Sequence, residues 1–245
     1  MELQPMRQRA ERSDKGEVRM RPRDAEALAW LSQMYGAPLD VLATVLGTTE
    51  RAAREVARRW RTAGWAEQAR VDAGPAWVWP TPTTARQMLG WQVGTWRPSP
   101  TMAAHMRAVA EVRLALARTD LTTWVGERQI AHLAHGYKQA GQKLGHLPDG
   151  VWLRGGTDES DNVLIEVELT AKHPSRTADL IHEGLEAAGK QGASEVWYIA
   201  GSGHVRGVVE RAAGALRGRT NEQWLRKLRV LDLEHVIEGR TGREQ

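Results

Sequence analysis

Three carboxylates and one lysine near the middle of the sequence could together hydrolyse a phosphate ester. Asp149 follows a proline, and Glu166 and Glu168 fall on one face of a strand predicted over 162–170. Two carboxylates on one strand face need a cation or a base to neutralise them. Oxygen ligands of this kind suit Mg²⁺ or Mn²⁺, which polarise a phosphate and generate hydroxide. Lys172, just beyond the strand, would stabilise the pentavalent phosphate or orient the water.

The pairing of two predicted strands would bring these side chains together. Asp149 begins the preceding strand, over 148–153, so antiparallel or nearly antiparallel pairing places it close to Glu166. A simpler interpretation fits the same alternation. In that interpretation the glutamates form the wet face of a half-exposed strand and pair with Lys172 and Arg176.

A second group of charged residues indicates DNA binding. A helix is predicted after a cap at Thr48 or Thr49 and runs to about Ala63, with alanines, Val56 and Trp60 on its apolar face. The opposite face carries four arginines at spacings of three, four and three: Arg51, Arg54, Arg58 and Arg61. Arginine forks grip phosphates and bond both acceptors of guanine. The alternative is a solvated helix face on which neighbouring glutamates form local ion pairs.

Two further helices and a hairpin surround this arginine-rich helix. The predicted elements are three helices and then two strands joined by a turn, over 23–34, 38–46, 49–63, 65–71 and 76–79. Three helices followed by a hairpin is the order of a winged helix-turn-helix, which docks one helix on duplex DNA.

The chain beyond a segment rich in Pro, Gly, Ser and Thr alternates helices with strands. The predicted order is a helix over 102–118, strands over 121–130, 148–153 and 162–170, a helix over 176–191, a strand over 195–200, a helix over 205–216 and a strand over 228–233. The order α-β-β-β-α-β implies a mixed sheet flanked by helices, in an α/β (α+β) class. We therefore predict a flexible arm over 1–22, a winged-helix domain over 23–90, a linker over 91–101 and an α/β domain over 102–245.

Short motifs within this order resemble the PD-(D/E)XK restriction-endonuclease-like superfamily. They are Pro-Asp at 148–149 and Glu-Val-Glu at 166–168. Within that superfamily, His-Leu-Pro-Asp-Gly at 146–150 and Ile-Glu-Val-Glu-Leu-Thr-x-Lys at 165–172 resemble the replication-relaxation proteins of actinobacterial plasmids and integrative elements. Those proteins also carry an N-terminal winged helix, so the resemblance extends over about 24–233.

The resemblance implies a metal site. Asp149 and Glu166 would be metal ligands, and Glu111 on the first helix of the α/β domain would be an additional acidic ligand. Glu127, in the predicted strand 121–130, competes with Glu111 for that role.

The catalytic lysine departs from the family pattern. Two residues after Glu166, where the superfamily has its lysine, the sequence has Glu168. Lys172 would then represent a lysine that has moved along the chain, and the catalytic set would be Asp149, Glu166, Glu168 and Lys172. Some restriction enzymes of the superfamily carry an acidic residue at this position and remain active.

The function implied by the resemblance is a metal-dependent DNA endonuclease or nickase of a mobile element, acting in plasmid replication, relaxation or transfer. Its cofactor would be Mg²⁺ or Mn²⁺ and its partner double-stranded DNA. The missing lysine leaves two alternatives open: a non-catalytic replication accessory or transcription regulator with an inactivated nuclease fold, or a scaffold that recruits a relaxase. A homodimer and a relaxase or replication partner are equally open.

The composition bounds these interpretations. Hydrophobic residues at 41% and charged residues at 26% indicate a folded chain. The absence of cysteine excludes disulfides and thiolate metal sites and favours a reducing compartment. No apolar stretch has the length of a membrane span, so we expect a cytoplasmic protein with no membrane partner. A formal charge of +4 and a pI near 9.7 fit a nucleic-acid partner.

Overall fold

Helices and two β-sheets of different size make up the part of the chain that the computed structural model describes, residues 19–139, 146–155 and 161–239. This confirms the expected mixed class of helices with a mixed sheet. Most of the arm predicted over 1–22 lies outside the described residues. None of the helices in those three ranges combines the length and apolar character that crossing a bilayer requires.

The N-terminal part contains four helices and a small sheet. Its elements are α1 (Pro22–Gln33), β1 (Ala37–Pro38), α2 (Leu39–Val45), α3 (Glu50–Thr62), β2 (Ala66–Ala69), β3 (Trp77–Pro80) and α4 (Pro82–Leu89). The central strand β3 pairs antiparallel with both β1 and β2. The Thr49 hydroxyl caps α3 by accepting the backbone N–H of Ala52 at 3.3 Å, and Gly64 follows the helix with φ of 73°. A left-handed glycine of this kind ends a helix at little cost in strain.

The C-terminal part builds a five-stranded sheet. Its elements are α5 (Pro100–Ala117), β4 (Trp124–Gly126), α6 (Glu127–Gln139), β5 (Gly150–Leu153), β6 (Asn162–Glu168), α7 (Pro174–Gln191), β7 (Glu195–Ala200), α8 (Gly203–Ala215), α9 (Glu222–Leu225), β8 (Leu228–Asp232) and α10 (Leu233–Ile237). The strands lie in chain order. β4, β5 and β6 pair antiparallel, whereas β6, β7 and β8 pair parallel through the crossovers that contain α7 and α8.

Strand β6 separates two apolar layers. Val163, Ile165 and Val167 pack on the layer that also holds α5, whereas Leu164 packs on the layer of α7 and α8. The alternation predicted for this strand is therefore confirmed. Glu166 and Glu168 share the face of Leu164, at the end of the strand where this apolar layer gives way to polar side chains.

The strand predicted over 121–130 is wrong beyond Gly126, because α6 begins at Glu127. Ile130 and Ala134 lie one helical turn apart, and Ala134 is buried, so the apolar spacing here follows a helix. Gly126 marks the change of direction. A Cβ at this position would come within 2.9 Å of the carbonyl oxygen of Gln33, so only glycine allows α1 to approach this closely.

One continuous core joins the two parts. Trp30 and Leu31 of α1, Leu42 of α2, Val112 of α5 and Ile165 of β6 all belong to the same buried cluster. The segment predicted as a linker packs against the N-terminal sheet through Trp96, whose ring centroid lies 5.6 Å from that of Tyr35.

Candidate active-site cleft

A polar cleft of about 190 Å³ lies where the end of β6 meets the beginning of β5. It brings together four residues predicted to act in catalysis, namely Asp149, Glu166, Glu168 and Lys172. Its remaining lining residues come from two helices, two strands and the segment that precedes β5: His105, Leu180, Val167, Tyr198 and His146.

Asp149 is fixed by two hydrogen bonds at the start of β5. Its Oδ2 accepts the backbone N–H of Val167 at 2.7 Å, and its Oδ1 lies 2.9 Å from Nε2 of His105 on α5. Because β5 and β6 are antiparallel with Gly150 opposite Ile165, the next pair along the register is Asp149 and Glu166. The strand pairing predicted from the sequence therefore brings the two acids to the same cleft.

Glu166 is buried, with 8% of its surface exposed. Its Oε2 lies 3.0 Å from Nε2 of His146. Burial is the largest cause that raises the pKa of Glu166, and the charge of Asp149 adds to it. The hydrogen bond to His146 and the charge of Lys172 oppose the shift, and the resulting pKa is about 7. The interpretation of Glu166 as part of a wet strand face is therefore wrong.

Glu168 and Lys172 form an ion pair at the outer side of the cleft. The Glu168 side chain is 13% exposed and that of Lys172 is 44% exposed. The ammonium group is thus close to the buried acids but still open to solvent, so it can exchange one anionic partner for another.

Two histidines, not predicted as site residues, bind the acids of the cleft. A hydrogen bond to Asp149 raises the pKa of His105, and a hydrogen bond to Glu166 raises the pKa of His146, in each case against the effect of burial. His146 is further held by its backbone N–H, which donates to Glu183 at 3.0 Å. The His-Leu-Pro-Asp motif contained a signal for His146, whereas nothing in the local sequence marks His105 on its helix.

The structure does not bring Glu111 to this cleft. Glu111 forms an ion pair with Arg107 at 2.9 Å and lines a separate groove with Asp40. Glu127 is the acid that lies next to Asp149: its backbone N–H donates to the Asp149 carbonyl at 3.3 Å. Burial and the charge of Asp149 both raise the pKa of Glu127. Glu127 thus lines a neighbouring pocket together with His105 and Asp149, whereas neither Glu127 nor Glu111 lines the cleft itself.

Tyr198 was also missed by the sequence reasoning. It stands beside Glu166 in the parallel register of β6 and β7 and is 4% exposed. Its hydroxyl has no hydrogen-bond partner among the residues that the structure describes. Burial raises the pKa of Tyr198, as do the charges of Glu166 and Glu168, so the group stays a donor.

The donor set of the cleft fits a hard divalent cation. Within the described ranges, no three His, Asp or Glu side chains converge on one point closely enough to hold a metal ion. Mg²⁺ does not require such a cage, because it commonly uses one or two carboxylates and completes its shell with water and substrate phosphates. Asp149 and Glu166 are the two carboxylates that would hold such an ion, in a cleft with a volume of about 190 Å³.

The arginines predicted to bind DNA lie on one exposed face of α3. Ala53, Ala57 and Trp60 are the buried residues of this helix. The four exposed arginines are Arg51, Arg54, Arg58 and Arg61. Two of them form surface ion pairs, Arg54 with Glu50 at 2.6 Å and Arg58 with Glu55 at 3.0 Å. Exposed pairs of this kind are weak, about 0 to 1 kcal/mol, so a phosphate can replace the glutamate.

Comparisons with protein-family models, with curated proteins and with solved structures found no match for this chain. A function must therefore be argued from the cleft and from the arginine face themselves.

Proposed function

We propose that this protein is a metal-dependent DNA endonuclease or nickase in which the N-terminal part binds duplex DNA and the cleft cuts it. The observation that carries the proposal is the meeting of Asp149, Glu166 and Lys172 in one cleft, where the antiparallel pair β5 and β6 brings the two acids side by side. Two hard carboxylates and one ammonium group are what metal-assisted phosphodiester hydrolysis needs from a protein.

The order of elements also supports the proposal. α5, β4, β5, β6, α7 and β7 follow the α-β-β-β-α-β order of the PD-(D/E)XK superfamily, with α6 inserted after β4. The sheet is antiparallel up to β6 and parallel beyond it. We infer that the C-terminal part is a nuclease core of this type, and that α1, α2, α3 and the small sheet form a winged helix.

The residues of the cleft would divide the work of hydrolysis. Asp149 and Glu166 would hold Mg²⁺ or Mn²⁺, which supplies Lewis-acid activation of the phosphate and a bound water of lowered pKa. Lys172 would leave Glu168 to neutralise the charge that develops on the phosphate oxygens. His105 and His146 hold the carboxylates in place through their Nε2 atoms, so the acids are oriented before DNA arrives.

The arginine face would supply the affinity for DNA. Duplex DNA carries one phosphate charge about every 1.7 Å along its axis, and binding releases its condensed counterions. Four exposed guanidinium groups on one helix match such a partner, and the resemblance to replication-relaxation proteins makes the DNA of a plasmid or integrative element the expected target.

One observation favours a second candidate, a non-catalytic replication accessory or transcription regulator. Glu168 occupies the position of the superfamily lysine, and the only lysine that lines the described cleft, Lys172, is engaged by that same glutamate. If Lys172 does not leave Glu168 when DNA binds, the cleft lacks a free cation at the phosphate. The protein would then bind DNA without cutting it.

Incubation with supercoiled plasmid distinguishes the two candidates. We expect the wild type to produce nicked or linear DNA with Mg²⁺ or Mn²⁺, and Glu166→Gln to lose the activity while still binding duplex DNA. Glu186→Gln is the matched control, because Glu186 pairs with Lys190 on the exposed side of α7 and does not line the cleft. Absence of cleavage by the wild type with either ion favours the regulator. Equal cleavage by the wild type and Glu166→Gln excludes this cleft as the active site.

A further inference from the structure

The arginine-rich helix is anchored to α1 by a buried acid. Asp24 of α1 is 3% exposed and forms an ion pair with Arg59 on the inner side of α3. The same carboxylate accepts the indole N–H of Trp60 at 3.0 Å. Because Trp60 is fully buried, α3 cannot turn relative to α1 without breaking this network.

Helices α1 and α2 are in turn fixed to α5. The guanidinium group of Arg113 is fully buried, lies 4.8 Å from the centre of the Trp30 ring and donates to the Gln33 side chain at 2.5 Å. On α2, Asp40 accepts two hydrogen bonds from Arg107 of α5, at 2.5 and 3.3 Å. A bidentate pair restricts rotation as well as separation.

Helix α5 connects these N-terminal helices to the cleft, because it carries His105, which is the hydrogen-bond partner of Asp149. A second route reaches the same place from the end of α1. Arg128 of α6 is buried, donates to the Ser32 carbonyl at 3.0 Å and lies 4.7 Å from the centre of the Tyr35 ring. The next residue back along α6 is Glu127, which neighbours Asp149.

The covalent connection between the two parts is not a free tether. Trp96 lies within 6.5 Å, centre to centre, of the rings of Tyr35, Trp77 and Trp79. The orientation of the N-terminal part relative to the C-terminal part is therefore set by the contacts among α1, α2 and α5. It does not depend on the length of the connecting segment.

We propose that the arginine face and the cleft form one rigid unit, so that the protein cuts duplex DNA at a fixed number of base pairs from the sequence it binds. The substrate would be a site with two separate parts, one bound and one cut. This inference rests on the proposed function for the cutting step, whereas the fixed geometry rests only on DNA binding by α3.

The first experiment maps DNA ends. The probe is a duplex that the full-length protein selects from a random-sequence pool, incubated with Mn²⁺. We expect the cuts to lie at one distance from the selected sequence, here called the offset, with a spread of only about one or two base pairs. Inserting Gly-Ser after the exposed Gly94 should leave the offset unchanged, because the docked helices set it. Asp40→Asn combined with Arg107→Gln should spread the cuts.

The matched control for the double variant is Arg206→Gln. Arg206 pairs with Asp232 at 2.5 Å and with Glu210 at 2.8 Å, far from α1 and α2 in the order of contacts, so the offset should stay unchanged. Cuts that scatter in the wild type, or that move with the insertion, would overturn the inference. So would a selection that enriches no sequence.

A second experiment does not need the protein's own chemistry. Because the chain has no cysteine, Ser175→Cys provides one attachment point for an iron chelate three residues beyond Lys172. Radical scission of the bound duplex should cluster at one position, and the clusters should match any cuts made with Mn²⁺. If radical scission clusters at one position but Mn²⁺ produces no cuts, the proposed nuclease activity is rejected and the fixed geometry of the arginine face and the cleft is supported. Scission spread over the duplex would reject the fixed geometry.

Discussion

Glu166 experiences opposing influences that decide how the cleft responds to pH. Burial and the charge of Asp149 raise its pKa, whereas His146 and Lys172 favour the charged carboxylate and lower the pKa. The net pKa is about 7. A buried carboxylate is destabilising until a cation neutralises it. A buried carboxylate of this kind lowers the free energy of unfolding, and such a cost is common where the carboxylate serves to bind a metal ion.

The first prediction concerns Glu166→Gln and the free energy of unfolding. Since the folded-state pKa lies above the ordinary value, the wild type keeps its full stability below about pH 4.5 and loses stability as the pH rises through about 7. A shift of this size corresponds to roughly 3 kcal/mol. The amide cannot ionise, so the variant should melt several degrees above the wild type at pH 9.

Near pH 5 the difference should disappear, because Glu166 is then itself protonated and the glutamine replaces a neutral acid. Thermal melts at the two pH values test this, with Glu186→Gln as the exposed control. A difference between wild type and variant that stays the same at both pH values would contradict the pKa assigned to Glu166.

At the scale of single elements, the sequence predicts best where a local pattern and its surroundings agree. The cap at Thr49, the apolar face of α3 and the alternation of β6 all follow from spacing, and each is confirmed. The strand predicted over 121–130 failed because its apolar residues fit a strand and a helix over so short a length. The glycine that ends β4 is explained by α1, which is distant in sequence.

The cleft follows the same rule. Asp149 and Glu166 could be placed together because the register of two consecutive strands is a local property. His105 could not, because it reaches the cleft through the packing of α5 across the sheet. Glu111 was preferred to Glu127 for its position on the first helix, and that position turned out to face Asp40.

The second prediction concerns α3. Replacing Arg54 and Arg58 by alanine should weaken binding to duplex DNA, and each lost phosphate contact should lower the slope of log affinity against log salt by about 0.9. Arg211→Ala with Arg217→Ala removes the same charge from exposed positions near the end of α8 and should change little. Fluorescence anisotropy at several salt concentrations measures both quantities. Equal slopes for the two double variants would show that α3 does not contact the phosphates.

Among the described residues, the apolar layer that contains α5 passes without a break from the N-terminal helices into the five-stranded sheet. The fully buried Arg113 lies within that interface and donates a hydrogen bond to the Gln33 side chain. Separate domains unfold in separate steps, whereas a shared core couples them.

The third prediction is therefore that the full chain unfolds in a single calorimetric transition, with equal calorimetric and van't Hoff enthalpies. Arg206→Gln leaves the interface between the two parts intact, so this variant should also unfold in a single transition, at a midpoint that can differ from that of the wild type. Two resolved transitions in the wild type would show that the parts fold independently and would remove the basis for a fixed offset.

In the proposed function Asp149 and Glu166 share one divalent cation, and calorimetric titration of Mn²⁺ measures whether they do. The wild type should bind one equivalent, and Asp149→Asn should weaken the affinity at least about tenfold, because even second-sphere changes commonly have effects of that size. Glu111→Gln is the matched control, since Glu111 lies in the groove beside Asp40, and it should bind Mn²⁺ as the wild type does. Equal affinity in the wild type and Asp149→Asn, or no binding in either, would show that these two carboxylates do not hold a cation.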